Sequence, residues 1–114
     1  PRCSHHMRQK FKYWRSKQHL KNVASLPCQI CGLEGQTQAA HSNLSIHGKG
    51  RSIKASDEYT VALCFACHHD LDAGHRLTKD EKKQMYFNAL RNTWLELLER
   101  DLVVVDVPVP KAEN

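Results

Sequence analysis

The chain has 114 residues, 40% of them apolar, and a formal net charge of +5. This length suits one small domain with a limited core, to which a bound metal would add stability. The sequence has no run of about 18 apolar residues, so it predicts neither a membrane span nor a signal peptide.

Positive charge is concentrated at the start of the chain. Residues 1–56 carry ten Lys or Arg and a single acid, Glu34, whereas residues 57–114 carry seven Lys or Arg and eleven acids, so the halves sum to +9 and −4. A polyanion is the natural partner of such a basic segment, because each neutralised phosphate releases a counterion. A solvated basic helix face or a disordered arm would give the same charge pattern.

The first predicted element is an amphipathic helix within a basic segment of residues 1–26. Met7, Phe11 and Trp14 are spaced i, i+4, i+7, and no Gly or Pro interrupts the chain between residues 7 and 24. Pro27 cannot continue a helix. We therefore predict one helix over residues 7–24, with its basic side chains on the outer face.

A compact zinc-stapled unit with a C-terminal helix is predicted over residues 27–107. It begins with a tight turn at 27–35, followed by strands at 37–41 and 59–63 with a polar loop between them. A helix then runs from about residue 64, with Gly74 as its stop signal.

The C-terminal part of the chain predicts one long helix. Thr78 and Glu81 have the spacing of a capping box, which opens a helix that runs to about Arg100. An apolar stripe on this helix faces the core, formed by Tyr86, Ala89, Leu90, Thr93 and Leu97. Residues 102–107 are predicted as a last strand, and residues 108–114 as a tail.

Two CxxC motifs carry the clearest chemical signal. Cys28 and Cys31 form the first, Cys64 and Cys67 form the second, and 32 residues separate them. Two such motifs supply four thiolates to a tetrahedral zinc at about 2.3 Å, which indicates a closed structural site without catalytic chemistry. A pair of disulfides is the alternative, which suits a secreted protein.

A fifth cysteine lies near the start of the chain. Cys3, with His5 and His6, could form a further ligand set. A loose terminal cysteine is the simpler interpretation.

Polar residues just after the second CxxC motif form a candidate site. His68 and Asp72 are spaced i, i+4, so they project from one face of the helix about 6 Å apart and could hold one divalent ion. His41 ends the first predicted strand, and zinc binding would bring strand, strand and helix together. Exposed polar residues after a zinc motif, and a structural histidine at a strand end, are the alternatives.

Together these motifs resemble the HNH, or ββα-metal, endonucleases. The resemblance runs from Cys28 to about His75, through "CQIC", "AAH" at 39–41 and "LCFACH" at 63–68. Residues 48–57 and "CHHDLD" at 67–72 look more narrowly like small phage and prophage nucleases, of the YbcO type and the Ref recombination-enhancement type. The implied fold is α+β, a small treble-clef or ββα-metal core stabilised by zinc, with flanking N- and C-terminal helices.

The resemblance implies a metal-dependent DNA endonuclease in the cytoplasm of a bacterial host cell, linked to recombination. His41 would be the general base that activates water, and His68 and Asp72 would hold a catalytic Mg²⁺ or Mn²⁺. A RecA-type recombinase filament is the implied protein partner. The expected phosphate contacts are Arg8, Lys12, Arg15, Lys49 and Arg51.

The sequence departs from this family at two positions. Family members usually place a metal ligand immediately before the first catalytic histidine, and here that residue is Ala40. The family asparagine is replaced by Tyr59, and Asn43 lies on the wrong side of His41 to substitute simply. Either the site is rearranged, which we favour, or it is weakened or inactive. Candidates to fill the gap are Asp57, His47, Asp70 and His75.

Two other classes of function fit part of the sequence. A non-catalytic, zinc-stabilised nucleic-acid-binding module would explain the cysteines and the basic segment. A protein adaptor of the treble-clef kind would use the acidic C-terminal half to dock a partner.

Overall fold

The computed structural model describes residues 12–105. Within them the order of elements is α1 (Lys17–Ala24), β1 (Thr37–His41), a 3₁₀ turn (Ser45–His47), β2 (Thr60–Cys64), α2 (Phe65–Asp72) and α3 (Lys79–Glu99). The described part of the chain is thus a small α+β unit with one two-stranded sheet, in agreement with the predicted α+β class. None of its helices is long and apolar enough to cross a membrane.

The sheet is an antiparallel hairpin that separates two layers of packing. Thr37 pairs with Cys64 and His41 pairs with Thr60, so alternate residues face opposite sides. One core cluster, on the side of α2, contains Ala40, Val61, Leu63 and Ala89 with the two buried cysteines. The other cluster, on the side of α1, contains Val23, Leu26, Ala62 and Leu97.

Helix α1 begins ten residues later than the sequence predicted, and this prediction was wrong over residues 12–16. Ser16 is the N-cap: its backbone is extended and its side chain accepts a hydrogen bond from the His19 N–H. The preceding backbone binds residues 54–57 instead of forming a helix, with Trp14 N–H donating to Ser56 Oγ and Trp14 O accepting from Asp57 N–H. The predicted residues before 12 lie outside the described part of the chain.

Helix α3 follows the prediction closely. Thr78 caps it, and both hydrogen bonds of the capping box with Glu81 are formed. Ala89, Thr93 and Leu97 are buried, and Tyr86 and Leu90 pack against the core.

The predicted last strand is not formed. Residues 102–105 have no regular structure, and the rest of that prediction lies outside the described residues. Leu102 and Val103 instead pack against the α1-side cluster. Asn22 of α1 also donates to Leu102 O, so this segment is held by α1 and by apolar burial instead of by strand pairing.

Candidate functional site

The four cysteines of the two CxxC motifs meet at one end of the hairpin. Their sulfur atoms all lie within 4.8 Å of one another, and Cys31 Sγ lies 3.6 Å from Cys64 Sγ. Tetrahedral zinc with bonds of about 2.3 Å places its sulfurs about 3.8 Å apart. The cluster can therefore hold a structural metal such as zinc, and it contains no disulfide among the described cysteines.

Local backbone geometry builds this cluster. The first motif turns through Gly32, whose φ of 83° is accessible to glycine without strain. The Cys28 N–H donates to Leu33 O, and the Gln29 N–H donates to Ala62 O, which fixes the turn on β2. Cys64 ends β2 and is the N-cap of α2, so the second motif sits where strand becomes helix.

The thiols of the cluster oppose one another's ionisation. Burial disfavours the Cys28 thiolate, but hydrogen bonds from the backbone at Cys31, Cys64 and Ile30 outweigh it and lower the pKa of Cys28 to about 6. Burial, together with contacts to the other three cysteines, raises the pKa of Cys67 well above its ordinary value. Four thiolates at this spacing need a bound cation, because one charged sulfur suppresses the next.

A cleft of about 460 Å³ opens beside the other end of α2. Its lining includes the three residues predicted to be catalytic: His41, His68 and Asp72. His68 and Asp72 contact each other directly, with His68 Nε2 3.0 Å from Asp72 Oδ2.

Both ring nitrogens of His68 face oxygen acceptors. Its Nδ1 lies 2.9 Å from the side-chain oxygen of Gln38 on β1, and its Nε2 faces the Asp72 carboxylate. Gln38 therefore holds one edge of the ring and Asp72 the other, which fixes the orientation of His68 at the cleft.

His41 is held by a buried carboxylate. Its Nε2 lies 2.8 Å from Asp57 Oδ1, and the Asp57 side chain is 4% exposed. Because a carboxylate accepts, Nε2 carries the hydrogen and Nδ1 of a neutral ring keeps its lone pair. Asp57 thus sets the tautomer of a histidine that is itself 19% exposed at the cleft.

Asp57 is in turn fixed by the segment before α1. It accepts from Arg15 Nη1 at 3.1 Å and from the Ser16 N–H at 2.8 Å. Burial raises the pKa of Asp57, but hydrogen bonds from His41, Ser16 and Arg15 outweigh burial and lower the pKa below its ordinary value. The carboxylate is therefore charged at neutral pH.

Three of the four residues considered as replacements for a ligand at Ala40 are used elsewhere, and the fourth, His75, is exposed. Asp57 binds His41 and Arg15, the buried His47 bonds to Ser42 and stacks on Tyr59, and Asp70 pairs with Arg76. The described lining of the cleft includes none of the four, and within residues 12–105 the His68–Asp72 pair gains no third His, Cys, Asp or Glu in reach.

Sequence reasoning missed two parts of the cleft. Asn43 lines it and donates from Nδ2 to Asp72 Oδ1 at 2.8 Å, although its position after His41 in sequence argues against a role in the site. The start of α3 also lines it with three basic residues and one acid: Lys79, Lys82, Lys83 and Asp80. The i, i+3, i+4 spacing of the lysines after a capping box was the available signal, because it puts all three on one face of the first turns.

The predicted phosphate contacts fall into three groups. Arg8 lies outside the described residues. Lys12 and Arg51 are exposed, and Lys49 is half-buried with its ammonium donating to Gly50 O. Arg15 is committed to the fold, because its guanidinium donates to Asp57 and to the carbonyls of Ala55 and Lys54.

No curated protein and no solved structure is significantly similar to this chain. A family model does match, however, over residues 1–92, which span both CxxC motifs, the hairpin, α2 and most of α3. The chain belongs to the DUF968 family, whose description is protein of unknown function.

Proposed function

We propose that this protein is a metal-dependent DNA endonuclease of the HNH kind, with a treble-clef or ββα-metal core held by structural zinc. The single observation that supports it most is the meeting of His41, His68 and Asp72 at one cleft, from a strand end and a helix face 27 residues apart in sequence. The buried carboxylate of Asp57 also holds the His41 ring in one orientation, as a general base requires.

His41 acts as the general base in this proposal. With hydrogen on Nε2 donated to Asp57, the neutral ring takes a proton from water at Nδ1, and the water attacks the phosphorus of a phosphodiester. Asp57 stays charged throughout and stabilises the imidazolium that forms. A positioned base contributes roughly 10² to 10⁴ in rate.

His68 and Asp72 would hold the catalytic Mg²⁺ or Mn²⁺. A hard ion bound through few protein ligands keeps several waters and takes further ligands from phosphate oxygens. Such an ion supplies positive charge where the phosphate and the departing 3′ oxygen become more negative. Gln38 orients His68 for this role through Nδ1, and Asn43 orients Asp72.

The anionic substrate would meet basic residues around the cleft. Lys79 and Lys83 are exposed on its α3 side, and Lys82 is tied to Gly74 O. DNA is the proposed substrate, and a RecA-type filament is the proposed form in which single strands are presented. The action would take place in the bacterial cytoplasm.

Cleavage of DNA by His41→Ala tests the assignment. Supercoiled plasmid, single-stranded circles and single strands within a RecA-type filament are incubated with Mg²⁺ or Mn²⁺, with and without EDTA. We expect wild type to cut at least one substrate, and His41→Ala to cut about 10² to 10⁴ times more slowly with zinc content unchanged.

His69→Ala is the matched control, since His69 is the exposed neighbour of His68 on the same helix. It should cut like wild type. Equal cutting by His41→Ala, or equal loss in His69→Ala, contradicts the assignment. Salt-sensitive DNA binding without cutting of any of the three substrates would instead establish a non-catalytic nucleic-acid-binding module.

A further inference from the structure

The loop between the two strands exposes apolar side chains that the fold does not use. Over residues 42–56, called here the basic loop, Ile46 is 69% exposed and Ile53 is 45% exposed. A single exposed isoleucine is ordinary on a protein surface. Here two lie on one loop that also carries Lys49, Arg51 and Lys54 and no acid, so the loop exposes apolar and basic side chains together.

The basic loop is well anchored, so this exposure is a fixed feature. The buried His47 stacks on Tyr59 with ring centroids 4.0 Å apart and bonds to Ser42 Oγ at 2.6 Å. Tyr13 Oη donates to Gly48 O. At the tip, Gly50 and Ile53 exchange two backbone hydrogen bonds, which hold the return turn.

The basic loop is also continuous with the cleft. His41 precedes it directly, and its residues Asn43 and Leu44 line the cleft. A polyanion bound at the cleft would therefore extend along this loop.

We propose that the basic loop enters a groove of double-stranded DNA, an inference that rests on the proposed action of the cleft on DNA. Ile46 and Ile53 contact sugars and base edges, and Arg51 and Lys54 contact the flanking phosphates. Aliphatic residues flanked by cations are a groove-binding combination. Binding of single strands relies on aromatic stacking platforms, and the basic loop has no Phe, Tyr or Trp.

Binding measurements on the full chain, without added divalent ion, test this inference. Fluorescence anisotropy compares a labelled 25-base-pair duplex with its single strand, and anionic lipid vesicles are added as a competitor. The wild type should prefer the duplex. Ile46→Ala/Ile53→Ala should bind the duplex about tenfold more weakly, with an unchanged salt dependence. Arg51→Ala/Lys54→Ala should lower the slope of log affinity against log salt by about 2.

Leu98→Ala is the matched control, because Leu98 is 61% exposed on α3, about 28 Å along the helix from Lys79. It should bind like wild type, and circular dichroism should show all variants folded. Wild-type affinity in the isoleucine variant, an equal loss in Leu98→Ala, or preference for single strands or vesicles overturns the inference. Cleavage is not the readout of this assay. Duplex binding as expected, together with no cutting of any of the three DNA substrates in Mg²⁺ or Mn²⁺, refutes the nuclease and leaves the basic loop as a groove binder.

Discussion

The two ends of helix α2 carry groups of opposite chemical character. At its start, four sulfurs surround one point, and two of them belong to buried cysteines. Toward its end, His68 and Asp72 offer one nitrogen and one carboxylate at an open cleft. A closed four-sulfur site suits folding, whereas a site with few protein ligands leaves positions for water and substrate. Eight residues of helix thus connect a structural group to a candidate reactive one.

The largest difference expected between the two ends is in stability. Cys28→Ser should abolish zinc binding and the cooperative fold, because structural zinc contributes about 10 to 16 kcal/mol in small zinc domains, as much as the whole stability of most domains. Zinc content and near-ultraviolet circular dichroism measure both effects. Cys3→Ser should retain one zinc per chain; a folded Cys28→Ser chain without zinc would show that the cluster is dispensable.

The opposite end should tolerate loss of its carboxylate without unfolding. Asp72→Ala removes one side chain that is 45% exposed, so the free energy of unfolding should change by less than about 0.5 kcal/mol. Affinity for Mn²⁺, followed by electron paramagnetic resonance, should fall at least about tenfold. Asp70→Ala is the matched control on the same helix and should bind Mn²⁺ normally. If both variants behave alike, the cleft does not hold the ion through Asp72.

Asp57 lies behind the cleft, and its loss should affect both stability and rate. Asp57→Asn removes the charge that binds Arg15, Ser16 and His41. We expect the free energy of unfolding to fall by about 2 kcal/mol and cleavage to be about 10 to 100 times slower. The loss of stability is not larger because Arg15 is half-exposed, and solvent screens its attraction to Asp57.

The same residue predicts a dependence on pH. Since its folded pKa is lowered, the stability that Asp57 contributes is present above the ordinary value of about 3.9 and is lost as pH falls below it. Denaturant unfolding of wild type and Asp57→Asn between pH 6 and pH 3 measures this. The curves should converge at low pH; a constant separation would contradict the ionic role.

His19, on the far side of the sheet, should respond to acid at higher pH. The ring is fully buried between Trp14 and Trp94, and its Nδ1 has no hydrogen-bond partner among residues 12–105. Burial lowers its pKa, although the charges of Asp57 and Glu58 oppose this. The stability that the neutral His19 ring contributes is therefore present above about pH 6.5. It is lost as pH falls, by at most about 1.4 kcal/mol per pH unit.

Replacement of His19 separates this effect from that of His47, whose pKa burial also lowers against the charge of Glu58. His19→Phe keeps the aromatic packing and removes the titrating group. Its stability between pH 7.5 and pH 5 should vary less than that of wild type, with a residual slope that His47→Gln removes. Parallel curves for wild type and His19→Phe would show that the buried ring does not resist protonation.

Local patterns in the sequence determined most of the elements and the first site. Strand β1, the capping box of α3 and its buried stripe depend on neighbouring residues, and all three were predicted correctly. The four cysteines are equally local, because each CxxC motif forms its own turn and only their pairing requires the fold. The helix predicted over residues 7–24 was wrong over residues 12–16, because hydrogen bonds to a segment about 40 residues away outweighed a local apolar spacing.

The tertiary structure alone decided the surroundings of the cleft. Nothing near His41 in sequence identifies Asp57 as its partner. Nor does the sequence show that Arg15 binds Asp57, which leaves it unavailable for phosphate. Likewise, Asn43 contacts Asp72, and the lysines of α3 reach the same cleft, only when the hairpin and two helices pack together. The physical reason is range: strand alternation, capping and metal motifs act over a few residues, whereas the partner of a buried charge is set by whichever donors the folded chain brings within about 3 Å.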